Sequence, residues 1–228
     1  MSGREAWKRP FDLALLTLAL VLLAPLWLAL GLAIALAIRV DDGGPVLFRQ
    51  DRLGRGGKVF EILKFRTMVV DAEERFGPRW AAWNDRRATR VGRVLRRFHL
   101  DELPQAVNVL KGEMSLVGPR PERPGRARRI ARSVPGFAER LTVRPGIAGL
   151  AQARGGHDVD PRDKLRYDRL YIEAMNPWLD LKLSVTCLAR ALRASPSPAG
   201  RGRVARAARR PAPSDCEPAR VRGSGTGG

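Results

Sequence analysis

The sequence predicts an α+β protein: a kinked re-entrant membrane helix, then a small cytoplasmic domain with a short β-hairpin and several amphipathic or interfacial helices. Three observations support this prediction. Residues 11–38 are apolar apart from Asp12 and contain Pro25 near their middle. Two short runs rich in Val, Phe, Ile and Leu then flank a glycine-rich turn. Apolar residues at helical spacing recur beyond them, as far as residue 192.

The apolar segment fits neither one upright span nor two spans. As one straight α-helix, residues 11–38 would be about 42 Å long, whereas the hydrocarbon core of a bilayer is about 30 Å thick. Pro25 has no N–H and its ring crowds the carbonyl of Val21, so we expect a kink there. Basic residues flank both ends of the segment and normally stay cytoplasmic. This favours a helix that enters and leaves the bilayer by one face; the alternative is a single tilted span.

Composition divides the chain into three parts. We predict a membrane-anchoring helix broken at Pro25 over residues 1–40, a compact domain over residues 41–193 and a disordered tail over residues 194–228. With 42 Lys and Arg against 23 Asp and Glu, the formal charge is +19. Such a charge suits nucleic acid, anionic lipid or phosphorylated substrates, and a membrane anchor favours the last two. The two cysteines are too few for a disulfide framework and indicate a reducing compartment.

The first elements of the domain are predicted to be two strands. Residues 45–50 and 58–66 carry the apolar, β-branched and aromatic side chains of strands, and three glycines between them allow a tight turn. Lys64 and Arg66 are two residues apart, so a strand points both side chains to one face. They either serve a site or lie on a solvated edge strand.

Two helices are predicted next. The first covers residues 69–83 and is broken near Gly77-Pro78. The second begins at Asp101-Glu102-Leu103-Pro104, where acids and a proline suit a first helical turn. Its amphipathic face is marked by Leu100, Leu103, Val107 and Leu110.

Two further helices follow the central polar segments. Asp160-Pro161 has the residues of a helix start, and Asn176-Pro177 opens another helix. The last helix either packs on the core or lies in the membrane plane. The stripes that we expect on these two helices are Tyr167, Leu170, Tyr171 and Ala174, and then Trp178, Leu181, Val185, Leu188 and Leu192.

Four polar segments marked by proline or glycine carry the candidate chemistry. They are rich in arginine, whose planar guanidinium suits bidentate phosphate binding. The adjacent acids Asp101 and Glu102 stand out in so basic a chain: one could attack phosphorus and the other could hold Mg²⁺ beside substrate phosphates. Alternatively, both acids only favour the dipole of the following helix. The segments are KFRTM (64–68), LRRFHLDELPQ (95–105), MSLVGPRPERP (114–124) and VRPGIAGLAQ (143–152).

These motifs resemble the bacterial sugar transferase family over roughly residues 6–190. The quoted strings KFRTM, LDELPQ, NVLKGEMSLVGPRPERP, RPGIAGLAQ, KLRYDRLYI and WLDLK follow a proline-broken hydrophobic helix in this order. The family comprises monotopic phosphoglycosyl transferases that begin exopolysaccharide, capsule and O-antigen synthesis. The resemblance implies transfer of a sugar-1-phosphate from a UDP-sugar to polyprenyl (undecaprenyl) phosphate, at the cytoplasmic face of the bacterial inner membrane. It also implies Mg²⁺ and a covalent aspartyl-phosphosugar intermediate.

The resemblance also implies roles for single residues. By position, Asp101 is the nucleophile and Glu102 is both a catalytic residue and the Mg²⁺ ligand. The candidates for binding substrate phosphates are Lys64, Arg66, Arg96, Arg120, Arg144 and Asp168. The chain departs from the family at Ala24, where serine often precedes the proline, at Phe98-His99 and at Ala148. None of these departures removes a proposed catalytic group.

Two other functions remain open from the sequence. A membrane-tethered basic module could bind nucleic acid or anionic lipid, since blocks of arginine usually indicate electrostatic binding. A catalytically inactive family member could have a regulatory role. The ordered motifs favour the enzyme, because charge-driven binding needs neither LDELPQ nor GPRPERP. We therefore expect a UDP-sugar, polyprenyl phosphate and membrane lipid as partners, and no nucleic acid.

Overall fold

The predicted mixture of helices and strands is confirmed in a computed structural model, which describes residues 6–72, 74, 85–155 and 159–192. Three short 3₁₀ turns, Arg55–Gly57, Leu100–Glu102 and Phe137–Thr142, complete the described elements. The predicted tail 194–228 and most of the predicted helix 69–83 lie outside the described residues. The elements are α1 (Lys8–Leu22), α2 (Ala24–Asp42), β1 (Leu47–Leu53), β2 (Val59–Phe65), α3 (Arg90–Arg97), α4 (Gln105–Lys111), β3 (Ser115–Val117), α5 (Pro124–Ser133), β4 (Gly146–Ala148), α6 (Leu150–Gly155), α7 (Pro161–Ala174) and α8 (Pro177–Leu192).

We predicted a kink at Pro25, but the apolar segment breaks two residues earlier, at Leu23. Helix α2 begins at Ala24, so Pro25 occupies its first turn, where a missing N–H leaves no hydrogen bond unmade. Trp27 lies one turn into α2, and its indole Nε1 donates to the carbonyl of Ala19 in α1 at 3.1 Å. A side chain of α2 therefore bridges the break.

Both ends of this helix pair contact the same domain. Near the start of α1, Lys8 forms a buried ion pair with Asp180 of α8. At the end of α2, Asp41 accepts a hydrogen bond from the backbone N–H of Val91 at 2.9 Å. The middle of the pair is apolar and exposed, with Leu28 75% exposed. A re-entrant helix requires that both of its ends lie on one side of the membrane, and this arrangement meets that requirement. Among the described helices, α2 alone is long and apolar enough to cross a membrane.

The predicted β-hairpin is confirmed, and a second strand pair accompanies it. Strands β1 and β2 are antiparallel, and Phe48 lies opposite Lys64. Strands β3 and β4 pair in parallel, a contact that three-residue strands do not reveal in the sequence. Gly146 is required there, because a Cβ atom on it would lie 2.0 Å from the backbone nitrogen of Gly118. This close approach fixes the start of the loop that carries Arg120.

The buried face of α7 differs from the prediction. Asp160 caps the helix as expected and accepts a hydrogen bond from the N–H of Arg162 at 2.9 Å. The predicted stripe is confirmed only at Tyr171, which is buried, whereas Leu170 is 46% exposed; Leu165 and Asp168, which lay outside that stripe, are also buried. A charged residue occupies this face because Asp168 has a buried cationic partner, which apolar periodicity does not register.

Helix α8 packs on the core by a different face from the predicted stripe. Leu183 is buried, whereas Trp178, Leu181, Val185 and Leu188 are exposed, Trp178 by 74%. Of the two predicted alternatives, packing on the core is therefore observed for the helix through Leu183, but not for the predicted stripe. The exposed stripe has the composition of a surface that lies in a membrane interface.

The Trp27 bridge can be tested by a substitution that keeps an aromatic ring at this position. Trp27→Phe removes the indole N–H and should lower the free energy of unfolding by about 0.5–1.5 kcal/mol, the usual contribution of one hydrogen bond. Thermal unfolding in detergent micelles measures the change. Adding Ala24→Ser should recover part of the loss, because its hydroxyl can bond to backbone groups at the break. An unchanged melting temperature in Trp27→Phe would show that the bridge does not stabilise the kink.

Candidate functional site

Asp101 and Glu102 lie in the 3₁₀ turn directly before α4. His99, just before this turn, has a φ of 55°, in the left-handed region, and redirects the chain after α3. Both carboxylates are only 8% exposed. Buried carboxylates need positive or hydrogen-bonding partners, so the residues around them decide what they can do.

Glu102 is paired with two cations from distant parts of the chain. Lys64 Nζ, on β2, donates to Glu102 Oε1 at 2.8 Å. Arg120 Nη1 lies 3.2 Å from Oε2, and Nη2 lies 2.5 Å from Oε1, a bidentate pair. Lys64 Nζ is also 3.7 Å from Asp101 Oδ2. We call Lys64, Asp101, Glu102 and Arg120 the Asp101 cluster.

The two acids of the Asp101 cluster differ electrostatically. Burial raises the pKa of Asp101 above its usual value, and the positive charge of Lys64 opposes the rise without cancelling it. Burial alone would lower the pKa of Arg120, but the Glu102 carboxylate outweighs it and raises that pKa. Glu102 is thus fixed by hydrogen bonds from Lys64 and Arg120. Within the described residues, Asp101 has only the long contact with Lys64 as an ion pair, so no cation is held closely against its oxygens.

A second buried network holds Arg120 in place. Arg140 Nη2 donates to the backbone carbonyl of Arg120 at 2.7 Å, and its Nε donates to Asp168 Oδ2 at 2.9 Å. Glu122 pairs with Lys164 at 2.5 Å and lies 3.8 Å from Arg140. Burial raises the pKa of Asp168, against the opposing charge of Arg140. Asp168 therefore acts on the Asp101 cluster through Arg140, without touching the acids.

The structure brings together only some of the predicted site residues. Lys64 and Arg120 contact the acids, and Arg96 lies in the last turn of α3, five residues before Asp101. Arg66 instead pairs with Asp42 at the end of α2. Arg144 donates through Nε to the carbonyl of Gly112 at 3.0 Å. The sequence motifs gave no role to Arg140, Glu122 or Lys164. Glu122 lies within the quoted GPRPERP motif and Lys164 within KLRYDRLYI, but no motif marks Arg140 among the many arginines.

The Asp101 cluster adjoins the base of the helix pair α1–α2, which we call the apolar hairpin. Leu100 and Leu103, which flank the two acids in sequence, pack against a buried group that contains Ile34 and Ile38 of α2. The acids are therefore within one residue of side chains that contact the hairpin.

The acids suit Mg²⁺ only in combination with a phosphate ligand. Mg²⁺ is usually held by one or two carboxylates together with substrate phosphates. The Asp101 carboxylate is adjacent to that of Glu102, whose two oxygens already accept hydrogen bonds from Lys64 and Arg120. In the part of the chain that the structure describes, no three His, Cys, Asp or Glu side chains converge. This donor set fits a cation that arrives with a diphosphate and is poorly suited to a protein-only cage.

The Asp168–Arg140 pair can be tested for stability. Asp168→Ala leaves Arg140 buried without its carboxylate, and breaking a buried ion pair from one side costs about 3–5 kcal/mol. We expect a drop of this size in the free energy of unfolding, measured by denaturant titration. Asp163→Asn, an exposed position on the same helix, should change stability by less than about 0.5 kcal/mol. Equal stability of the two variants would contradict the bracing role.

Comparison with known proteins agrees with the resemblance seen in the motifs. The model of a family described as bacterial sugar transferase matches residues 3–194. The UDP-N-acetylgalactosamine-undecaprenyl-phosphate N-acetylgalactosaminephosphotransferase of Aeromonas hydrophila is 44% identical over 177 residues, which cover 76% of this chain and 41% of that protein. The UDP-glucose:undecaprenyl-phosphate glucose-1-phosphate transferase of Caulobacter vibrioides is 44% identical over 183 residues, 77% of this chain and 66% of that protein.

A shorter relative is matched over more of its own length. The putative undecaprenyl-phosphate N-acetylgalactosaminyl 1-phosphate transferase of Bacillus subtilis is 46% identical over 133 residues, 54% of this chain and 74% of that protein. By contrast, the chain spans less than two thirds of the Aeromonas and Caulobacter proteins. The match to the family model covers all of the described residues, including both acids and their cationic partners. This chain belongs to the bacterial sugar transferase family.

Proposed function

We propose that this chain transfers a sugar-1-phosphate from a UDP-sugar to undecaprenyl phosphate at the cytoplasmic face of the bacterial inner membrane, and so begins synthesis of a surface polysaccharide. The observation that carries the proposal is the position of the Asp101 cluster. A buried carboxylate with two neighbouring cations lies at the base of an exposed apolar hairpin. The names of the relatives describe transfers between the same classes of donor and acceptor.

The first step would form a covalent enzyme intermediate. The Asp101 carboxylate attacks the β-phosphorus of the UDP-sugar, the bond from that phosphorus to the bridging oxygen breaks, and UMP leaves. The sugar phosphate is then held on Asp101 as an acyl phosphate. Lys64 and Arg120 would neutralise the phosphoryl oxygens as charge moves towards UMP, and their contacts with Asp101 and Glu102 support this role. Glu102 would hold Mg²⁺, which would neutralise the diphosphate of the bound donor.

The second step would return the enzyme to its starting state. A phosphate oxygen of undecaprenyl phosphate attacks the same phosphorus, the bond to Asp101 breaks, and the carboxylate is regenerated. The product is undecaprenyl diphosphate sugar. The apolar hairpin and the exposed α8 stripe give the protein two surfaces suited to lipid. The acceptor could therefore keep its tail in the bilayer while its phosphate reaches Asp101.

A donor panel tests the proposal directly. Purified protein in lipid nanodiscs that contain undecaprenyl phosphate should release UMP from at least one UDP-sugar and move radiolabelled sugar into the lipid extract. Donor alone should label the protein on the peptide that contains Asp101. Asp101→Asn should do neither. Its matched control is Asp51→Asn, at an exposed position on β1, which should behave as wild type. Reproducible absence of protein-bound label during turnover would refute the covalent mechanism.

The rival binding function makes a different set of predictions. If no donor releases UMP, while the protein binds anionic vesicles with a steep salt dependence that survives Asp101→Asn, the chain is a membrane-tethered binding module. Sugar-phosphate transfer that requires Asp101 would exclude the hypothesis of a binding module. The same panel therefore separates the two functions.

The proposed topology predicts the same side of the membrane for both ends of the hairpin. With Cys187→Ser and Cys216→Ser as background, Glu5→Cys and Lys58→Cys flank the apolar segment. An impermeant thiol reagent should label neither position in intact cells and both positions after lysis. Labelling of one position alone from outside would show a single span instead.

A further inference from the structure

Gln105, the first residue of α4, has a buried side chain whose polar atoms form no hydrogen bond within the described structure. It is 0% exposed, and within the described residues neither Oε1 nor Nε2 has a hydrogen-bond partner. Buried polar groups in proteins are nearly always paired, and leaving them unpaired destabilises the fold. An amide with both atoms unpaired therefore calls for an explanation by a bound group.

Asn108, one turn further along α4, shows what a structural amide does in this place. It is equally buried. Its Oδ1 accepts from the N–H of Leu63 at 3.0 Å, and its Nδ2 donates to the carbonyl of Glu61 and to Glu113, both at 2.7 Å. Asn108 thereby ties α4 to β2. Gln105 lies on the same helix and makes no such bond in the described structure.

The backbone directs Gln105 towards the Asp101 cluster. Gln105 follows Asp101 by four residues and Glu102 by three. Leu103 and Pro104, which lie between Glu102 and Gln105, have helical backbone angles. Residues at these spacings share one helical face, and helical side chains tilt towards the N-terminus. The Gln105 side chain therefore leans back towards the turn that carries the two acids.

We propose that Gln105 is a substrate-binding residue that contacts the sugar phosphate delivered to Asp101. Its Nε2 donates to a non-bridging phosphoryl oxygen, and its Oε1 accepts from a hydroxyl of the sugar. The inference rests on the proposed function. A neutral amide suits this position, because a third cation beside Lys64 would pair with Asp101 and compete with phosphorus for its oxygen.

Substitution by an apolar side chain of similar shape tests the proposal. Gln105→Met removes both unpaired polar atoms, so the melting temperature should stay equal or rise. Formation of the protein-bound sugar phosphate, measured with donor alone in a single turnover, should slow by about tenfold or more, as for loss of a hydrogen bond to a charged group. Gln105→Glu should slow it further, because its charge repels the phosphate. Asn108→Leu, the matched control, should lower the melting temperature.

Each outcome decides the inference. Gln105→Met with wild-type adduct formation would overturn it, and a lower melting temperature with unchanged activity per folded molecule would show that the amide holds only a structural water. Asp101→Asn is measured in parallel. If Asp101→Asn still forms product, the assignment of Asp101 as the nucleophile fails; if wild type forms no product with any donor, the proposed function itself fails. If Asp101→Asn is inactive while Gln105→Met matches wild type, only the role of Gln105 is wrong.

Discussion

Asp101→Asn is expected to abolish sugar-phosphate transfer and, at the same time, to raise the melting temperature of the protein. The amide cannot form an acyl phosphate, so transfer should fall by at least about a thousandfold, as when other enzymes lose their nucleophile. The gain in stability follows from burial, which raises the pKa of Asp101 by disfavouring its charged form. Asparagine has nearly the same shape and carries no charge that must be buried.

The pH dependence of the increase in melting temperature tests whether burial of the Asp101 charge causes it. Because the pKa of Asp101 is raised on folding, the folded protein is favoured while the group is protonated, and this advantage is lost as the pH rises through the folded pKa. The difference in melting temperature between Asp101→Asn and wild type should therefore be largest at neutral pH and vanish below about pH 4. For the same reason, wild-type activity should fall on the acid side at a pH above the usual aspartate pKa of about 3.9. A lower melting temperature in Asp101→Asn at pH 7 would contradict this account.

Glu102→Gln should also stop transfer, but it should destabilise the protein. Lys64 and Arg120 are mostly buried and both pair with Glu102. Removing its charge leaves two cations with only Asp101 as an acidic neighbour within the cluster. Breaking a buried pair from one side costs several kcal/mol. We expect a loss of about 3 kcal/mol, or roughly 6–12 °C in melting temperature for a chain of this size.

The two neighbouring substitutions thus form a matched pair with opposite effects on stability. Differential scanning calorimetry of Asp101→Asn and Glu102→Gln at pH 7 measures both changes under one condition. A double-mutant cycle of Glu102→Gln with Arg120→Met should show strong coupling, because the double variant no longer leaves the Arg120 charge unpaired. Additive effects of the two substitutions would show that the ion pair does not stabilise the fold.

Local features of the sequence predicted much of the fold. The β-hairpin follows from two apolar runs around glycines, two of which adopt positive φ at Gly56 and Gly57. The start of α7 follows from Asp160-Pro161 and its N-cap hydrogen bond. These signals act within a few residues, where spacing and residue type are sufficient. The position of the helix break shows the limit of such signals, since it lies at Leu23 and the proline acts from the first turn of α2.

The membership in the family and the two adjacent acids could both be predicted from the sequence by itself, because motif order, apolar length and residue chemistry are properties of the chain. The tertiary structure alone decided which cations reach those acids. Lys64 and Arg120 are 38 and 18 residues away from Glu102 along the chain, and packing of the 3₁₀ turn against β2 and the loop after β3 brings them together. Arg66 and Arg144, equally suitable by type, bind elsewhere. The physical reason is that a charge interaction depends on distance in space, which long-range packing sets.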